Sequence, residues 1–213
     1  MLRIICLAIG YVFGLFQTGY LYGKLHRIDI RNYGSGNAGT TNALRVMGKK
    51  AGLIVFLGDF FKTVFACLLV RVLFAGNPSL DMYVLYAGLG VILGHNFPCY
   101  LHFKGGKGIA STAGILVSMD WRITLVCAVI FLAAVIITRY VSLGSILVVS
   151  AFLVQIILYG LKGSYQVADK DLCEFFGVAA FLTAMAIWRH RANIVRLLNG
   201  TENKLWGNKK SGS

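Results

Sequence analysis

The chain has 213 residues, 57% of them hydrophobic and only 14% charged, with a mean hydropathy of +0.72 and a formal net charge of +13 at pH 7. That balance leaves too little polar surface for a water-soluble globule, so a bilayer has to supply the apolar solvent. The positive charge flanks apolar runs, where anionic lipid headgroups or an anionic substrate account for it, and no nucleic acid is expected as a partner.

A bilayer core of roughly 30 Å asks for about 20 mainly apolar residues per helix. Candidate spans lie near 2–24, 51–75, 82–98, 109–120, 122–138, 141–161 and 174–189. They predict an all-α, polytopic membrane bundle of about seven transmembrane helices in a single domain, 1–213. The fourth reaches only about 18 Å as a helix, so it is expected to be short inside the bundle or re-entrant, and six full spans is the alternative count. The first apolar run shows no small-residue cleavage site and is retained.

Lys24, Arg27, Arg31, Arg45, Lys49, Lys50, Lys104, Lys107, Arg139, Arg189, Arg191, Arg196, Lys204, Lys209 and Lys210 fall on one side of these spans; Arg3, Arg71, Arg122, Lys162 and Lys170 fall on the other. The positive-inside rule puts the amino terminus outside and the carboxyl terminus in the cytoplasm. Cys6, Cys67, Cys99, Cys127 and Cys173 lack metal-site spacing and read as small hydrophobes; no metal or cofactor is expected.

In chain order, the first chemistry-bearing stretch is R-N-Y-G-S-G-N-A-G-T-T-N-A-L-R from Arg31 to Arg45. Gly34, Gly36 and Gly39 match a dinucleotide fingerprint by letter, but a membrane helix and loop precede them rather than a strand, and no lysine follows for a P-loop. What remains is a loop able to converge backbone N–H groups on a phosphate, with a short helix from about Thr41 adding its positive end. Ser35, Asn37, Thr41, Asn42 and Arg45 supply further donors, and Arg45 lies one turn beyond Thr41.

Inside the second span, Asp59 and Lys62 stand at i and i+3, an ionisable pair read as a neutralised structural bridge, with the floor of a site as the alternative. The second stretch, G-H-N-F-P-C-Y-L-H-F-K-G-G-K-G-I-A-S-T from Gly94, carries Gly105, Gly106 and the basic Lys104 and Lys107 at a helix amino terminus. The third is split: Arg139 and Ser142 precede the sixth span, and W-R-H-R-A-N-I follows the last, with His190 and Asn193 at i and i+3 on one face.

These motifs, in this order over essentially the whole chain, resemble the bacterial acyl-phosphate:glycerol-3-phosphate acyltransferase family of phospholipid synthesis. Thr40 stands where the family commonly has alanine, and Cys99-Tyr100 replaces a more aromatic or aliphatic pair. The resemblance implies a seven-helix protein of the inner (plasma) membrane with its active site facing the cytoplasm. It also implies transfer of an acyl group from acyl phosphate to the 1-hydroxyl of glycerol 3-phosphate, giving lysophosphatidic acid, with no obligatory protein partner.

On this reading the Gly34 to Asn42 loop holds the acyl phosphate, and Arg45, Lys104, Ser142, His190 and Asn193 place glycerol 3-phosphate. Ser35, Arg45, Lys104, His190 and Asn193 are the expected catalytic residues. Gly34, Gly36, Asn37, Gly39, Thr41, Asn42, Gly105, Gly106, Lys107, Arg139 and Ser142 are the expected substrate-binding ones. The proton goes to His190 or to a substrate phosphate; there is no His-x-x-x-x-Asp for the soluble-type mechanism. A small transporter of an organic phosphate is the competing reading.

Overall fold

The computed structural model describes residues 1–206 and is built from helices and loops. Lys209 and Lys210, counted above among the basic residues, lie outside the described residues. In chain order the α-helices are α1 (Leu2–Gly14), α2 (Thr18–Leu25), α3 (Thr40–Met47), α4 (Lys49–Leu73), α5 (Leu80–Asn96), α6 (Ile109–Met119), α7 (Trp121–Thr138), α8 (Val141–Leu161), α9 (Leu172–Arg189) and α10 (Arg191–Leu198). Six stretches are long and apolar enough to cross a membrane: Leu2–Leu25, Lys49–Leu73, Leu80–Leu101, Trp121–Thr138, Val141–Leu161 and Asp169–Arg189. The helix Ile109–Met119 is apolar but has only 11 residues.

The first apolar run is one stretch in the sequence but two helices in space. It breaks after Gly14 and restarts at Thr18, with Gln17 in the position before the new helix. α5 forms the centre of the bundle, with nearly every residue buried. α1 packs against it along a seam of glycines, because a methyl built on Gly90 would stand 2.1 Å from the Leu7 carbonyl oxygen and one on Gly10 2.0 Å from that of Ala87. Only backbone fits there, which is the close approach that small residues permit between membrane helices. α4 packs on α5 and α6, and α8 packs between α7 and α9. Phe152, Phe175, Met82, Leu85, Ile123 and Ile156 fill the interior.

Ion pairs tie one end of the bundle together. Arg3 donates to Asp171 (2.9 Å) and Glu174 (2.6 Å), and Arg71 to Asp81 (2.7 Å). The opposite end carries the loops 31–45, 104–108, 139–142 and 190–205, which converge on one cavity.

The glycine seam makes a direct prediction. Gly90→Val should lower the midpoint of thermal unfolding in detergent by several degrees, since overpacking a tight contact costs about 1–3 kcal/mol. Gly177→Ala, where nothing lies within 4 Å, should leave it unchanged. Equal midpoints for the two variants would mean that α1 and α5 are not in backbone contact.

Candidate active site

The cavity measures about 280 Å³ and has two characters. Its polar lining comprises Ser35, Asn37, Gly39, Thr40, Thr41, Asn42, Arg45, Lys107, Ser142, His190, Asn193, Arg196 and Glu202, with the buried Asp59 and His95. Its apolar part is lined by Leu44, Phe56, Ile109, Ala110, Phe131, Val135, Val141 and Leu205.

The glycine loop is shaped by one side chain. Asn42, at 1% exposure, accepts the Ser35 N–H on its Oδ1 (2.8 Å) and donates from Nδ2 to the carbonyls of Ile30 (3.1 Å) and Tyr33 (3.0 Å). Asn42 was expected to bind substrate; its hydrogen-bonding groups are instead spent on the loop. Gly34 and Gly36 take φ of +60° and +69°, the left-handed turns that favour glycine. Neither lines the cavity, so their part is to bend the chain. The bend delivers Gly39, Thr40 and Thr41 to the cavity wall as the first turn of α3, where amide N–H groups have no carbonyl within the helix. Thr40 Oγ1 is buried there without a hydrogen-bond partner among the described residues. A helix amino terminus with spare donors is suited to an anion.

Arg45 lines the cavity one turn further along, donating to the Asn203 carbonyl (3.1 Å), and burial lowers its pKa. The two lysines of the second stretch part company. Lys104 is exposed and outside the cavity lining, contrary to its expected catalytic place, because the left-handed His102 and Phe103 (φ +53° and +58°) turn the chain before it. Lys107 reaches the cavity and donates to Asn193 Oδ1. Burial, then the nearby positive charge of Arg196, brings its pKa down to about 8.

Gly105 and Gly106 were also expected to bind substrate, yet their N–H groups donate to the carbonyls of Asn96 (3.2 Å) and His95 (3.1 Å) at the end of α5. Their own carbonyls accept from Arg189. They brace the loop; a methyl on Gly106 would collide with His95 Nε2 at 2.0 Å. Arg139 is exposed at the end of α7 and outside the cavity; its contribution is a carbonyl that accepts the Leu205 N–H (2.8 Å).

His190 and Asn193 do share a cavity-facing side of the chain where α9 passes into α10. His190 Nδ1 lies 2.8 Å from the Ala186 carbonyl, which can only accept, so Nδ1 carries the proton and Nε2 offers a lone pair. Burial draws the His190 pKa down to about 4, so the ring is neutral at pH 7.

Glu202 is a residue that sequence reasoning missed. It is buried, accepting from Ser142 Oγ (3.2 Å), Asn193 Nδ2 (2.9 Å) and Arg196 Nε (2.7 Å). Ser142 is thus turned to this carboxylate. The missed Arg196 is positioned by the same group. A glutamate four residues after a helix end has no periodic signature, and the surrounding basic residues were the available signal for it. Asp59, beneath the cavity, pairs with Lys62 at 2.8 Å, so the two readings of that pair hold together: it is a structural bridge and part of the site's floor.

Comparisons with known proteins agree with one another. A family model described as glycerol-3-phosphate acyltransferase matches residues 4–200. Glycerol-3-phosphate acyltransferases of Clostridioides difficile (42% identical, covering 97% of each chain) and of Thermoanaerobacter sp. X514 (39% identical, 96% of each) are similar along their whole lengths. The fold is similar to crystal structures of PlsY (YgiH), an integral membrane glycerol 3-phosphate acyltransferase. The glycerol 3-phosphate form has a TM-score of 0.82, 33% identity and 96% coverage of each chain. The lysophosphatidic acid form has a TM-score of 0.78, 33% identity and coverage of 95% of this chain and 94% of that one.

Lys107 gives the site a pH dependence. The ammonium is charged below a pKa of about 8 and loses its charge as pH rises through that value, so anion affinity must fall in the same direction. Inorganic phosphate binding to the purified protein, followed by calorimetry, should weaken severalfold between pH 7 and 9. Lys107→Arg, which stays charged, should flatten the profile; Lys104→Met should leave it as in the wild type. A wild-type profile that stays level across that range would take Lys107 out of the anion site.

Proposed function

The chain belongs to the glycerol-3-phosphate acyltransferase family of integral membrane proteins, and we propose that it transfers a fatty acyl group from acyl phosphate to the 1-hydroxyl of glycerol 3-phosphate, releasing lysophosphatidic acid. The observation that carries this reading is a single cavity lined both by cationic and donor-rich residues and by a set of apolar side chains. An acyl phosphate has the same division. A long chain needs no carrier protein to be held, since each buried methylene contributes about 0.8 kcal/mol.

In this reaction the first turn of α3, with Ser35, Thr40 and Arg45, holds the acyl phosphate. Lys107 and Arg196 take the phosphate of glycerol 3-phosphate, and Glu202 holds Ser142 and Asn193 beside it. His190 Nε2, unprotonated and neutral, accepts a hydrogen bond from the attacking hydroxyl and orients it. The hydroxyl oxygen bonds to the acyl carbon, the carbonyl oxygen takes up negative charge, and the bond from carbon to phosphate oxygen then breaks. Because His190 is a weak base, the proton ends on the departing phosphate. Substrates that are anionic metabolites fit a cavity facing the cytoplasm, the orientation that the charge distribution favours.

Two measurements test this. Given palmitoyl phosphate, palmitoyl-coenzyme A and palmitoyl-acyl-carrier protein separately, with labelled glycerol 3-phosphate, purified protein should turn over the acyl phosphate at least about tenfold faster than either thioester. Thioester turnover that equals or exceeds it would reject the donor. For orientation, Lys162→Cys should react with an impermeant maleimide in intact cells and Asn199→Cys only after permeabilisation, in a background lacking the exposed Cys99 and Cys173. The reverse labelling would turn the cavity to the outside.

A further inference from the structure

The short helix α10 keeps different company on its two sides. Its inner side carries Asn193 and Arg196 to the cavity, where Glu202 accepts from both. Its outer side presents Arg191, Ala192, Val195 and Leu198, all exposed, and Leu198 is 82% so. Apolar side chains on an eight-residue helix gain nothing from water, so the row needs an apolar neighbour outside the chain. The helix before it shows which neighbour is at hand. In the membrane span α9 the exposed residues Cys173, Gly177, Phe181, Ala184 and Trp188 recur every three or four positions, one side of a helix, and in a span that side meets lipid. The same interval continues through Arg191, Val195 and Leu198, across the turn at His190 (φ −97°, ψ 4°).

α10 is also fixed at the depth where the spans end. The carboxylate that holds Asn193 is held in turn by Ser142, in the first turn of the span Val141–Leu161. At that level the apolar core of a bilayer gives way to headgroups. The residues at the junction suit it. Trp188, 51% exposed, is of the type that gathers at membrane interfaces. Arg191 lies over its ring, 4.3 Å from the centroid, and donates to its carbonyl (3.1 Å). Among the described residues no carboxylate pairs with Arg191. A cation held in place beside an interfacial tryptophan and an apolar row matches the chemistry of an anionic lipid: phosphate at one level, methylenes just beneath.

We propose that α10 is an interfacial helix, bedded by its outer side in the leaflet at the cavity end of the bundle, with Trp188, Val195 and Leu198 among the first methylenes of the acyl chains and Arg191 on the phosphate of an anionic phospholipid. The bilayer thereby supports one wall of the cavity from behind, because the helix it holds is the one that presents Asn193 and Arg196. The assignment rests on the membrane spans and is independent of which acyl donor the cavity takes.

The test has a depth arm and a lipid arm. Full-length protein in vesicles of phosphatidylcholine and phosphatidylglycerol carries a nitroxide at Val195→Cys or at Leu198→Cys, in a background lacking the exposed Cys99 and Cys173. Phe181→Cys, in the exposed row of α9, is the lipid reference, and Thr201→Cys, exposed beyond α10, is the aqueous one. Both α10 labels should be relaxed more by oxygen, which concentrates in lipid, than by a water-soluble nickel chelate, as at the lipid reference. Nickel access equal to that of the aqueous reference at either position would overturn the interfacial seat and leave the row to a soluble protein partner. In the lipid arm, phosphatidylglycerol is titrated into protein in detergent and the bound lipid is followed by native mass spectrometry. Arg191→Gln should weaken the tightest binding about fivefold, the attraction of one basic residue to an anionic headgroup. Lys49→Gln, at an exposed cation where α4 begins, should leave that binding unchanged. Binding by Arg191→Gln as tight as by wild type, or equal losses in the two variants, would refute the headgroup assignment.

Discussion

A helix that stops inside a membrane leaves carbonyl groups without partners, and water is not there to satisfy them. The break between α1 and α2 creates that problem at Gly14 and Phe16. Two side chains solve it. Lys62 donates to the Phe16 carbonyl, and the buried Gln17 amide donates to the carbonyls of Gly14, Gly94 and His95. The interrupted first span, α4 and the end of α5 are therefore joined at one point by groups that cannot be left unmade in a low dielectric. That point is the floor of the cavity, so the position of His95 and Asp59 in the site follows from the same bonds that make the helix break tolerable.

Above this floor, the arrangement is governed by how few carboxylates the cationic side chains are given. Lys107, Asn193, Glu202, Arg196 and Ser142 form one connected set with a single acid in it. Removing Glu202 from that set would release three donors at once, and its value lies in their common alignment rather than in the Arg196 ion pair, which is more than a third exposed on the arginine side and correspondingly weak. Because the tail segment that carries Glu202 also bonds to Arg45 through Asn203 and to the end of α7 through Leu205, it fastens three loops from separate parts of the chain.

Much of this was open to sequence reasoning where local physics sets the outcome. Apolar run length located the membrane-crossing helices, and the density of glycine, hydroxyl and amide residues from Gly34 to Arg45 marked a loop that lines the cavity and whose helix begins at Thr40. Spacing put His190 and Asn193 on one face. What stayed hidden depends on backbone paths that residue types do not encode. His102 and Phe103 adopt left-handed conformations that are uncommon for their types, and this decides that Lys107 rather than Lys104 enters the cavity. Gly105 and Gly106 look like phosphate-binding glycines, but their N–H groups are consumed by the end of α5 and their carbonyls by Arg189, 84 and 83 positions further along the chain. The interruption of the first span has no proline to announce it.

The two ends of the bundle use the same residue types to opposite effect. At the end remote from the cavity, Arg3, Arg71 and Arg122 each meet a carboxylate at 2.6–2.9 Å, and their charge is spent within the protein. At the cavity, among the described residues, Arg45 and Lys107 donate to neutral oxygens, those of Asn203 and Asn193, with the Glu202 carboxylate nearby. A cation half-buried against neutral partners is under-compensated, and burial has already moved both of these toward the uncharged form. Such groups gain from an anion that brings its own charge into the site, because Glu202 alone offsets several cationic side chains there. The phosphates of the substrates would complete this end of the molecule as Asp81, Asp120 and Asp171 complete the other, and the fold holds its cationic groups ready for them at the expense of its own electrostatic balance.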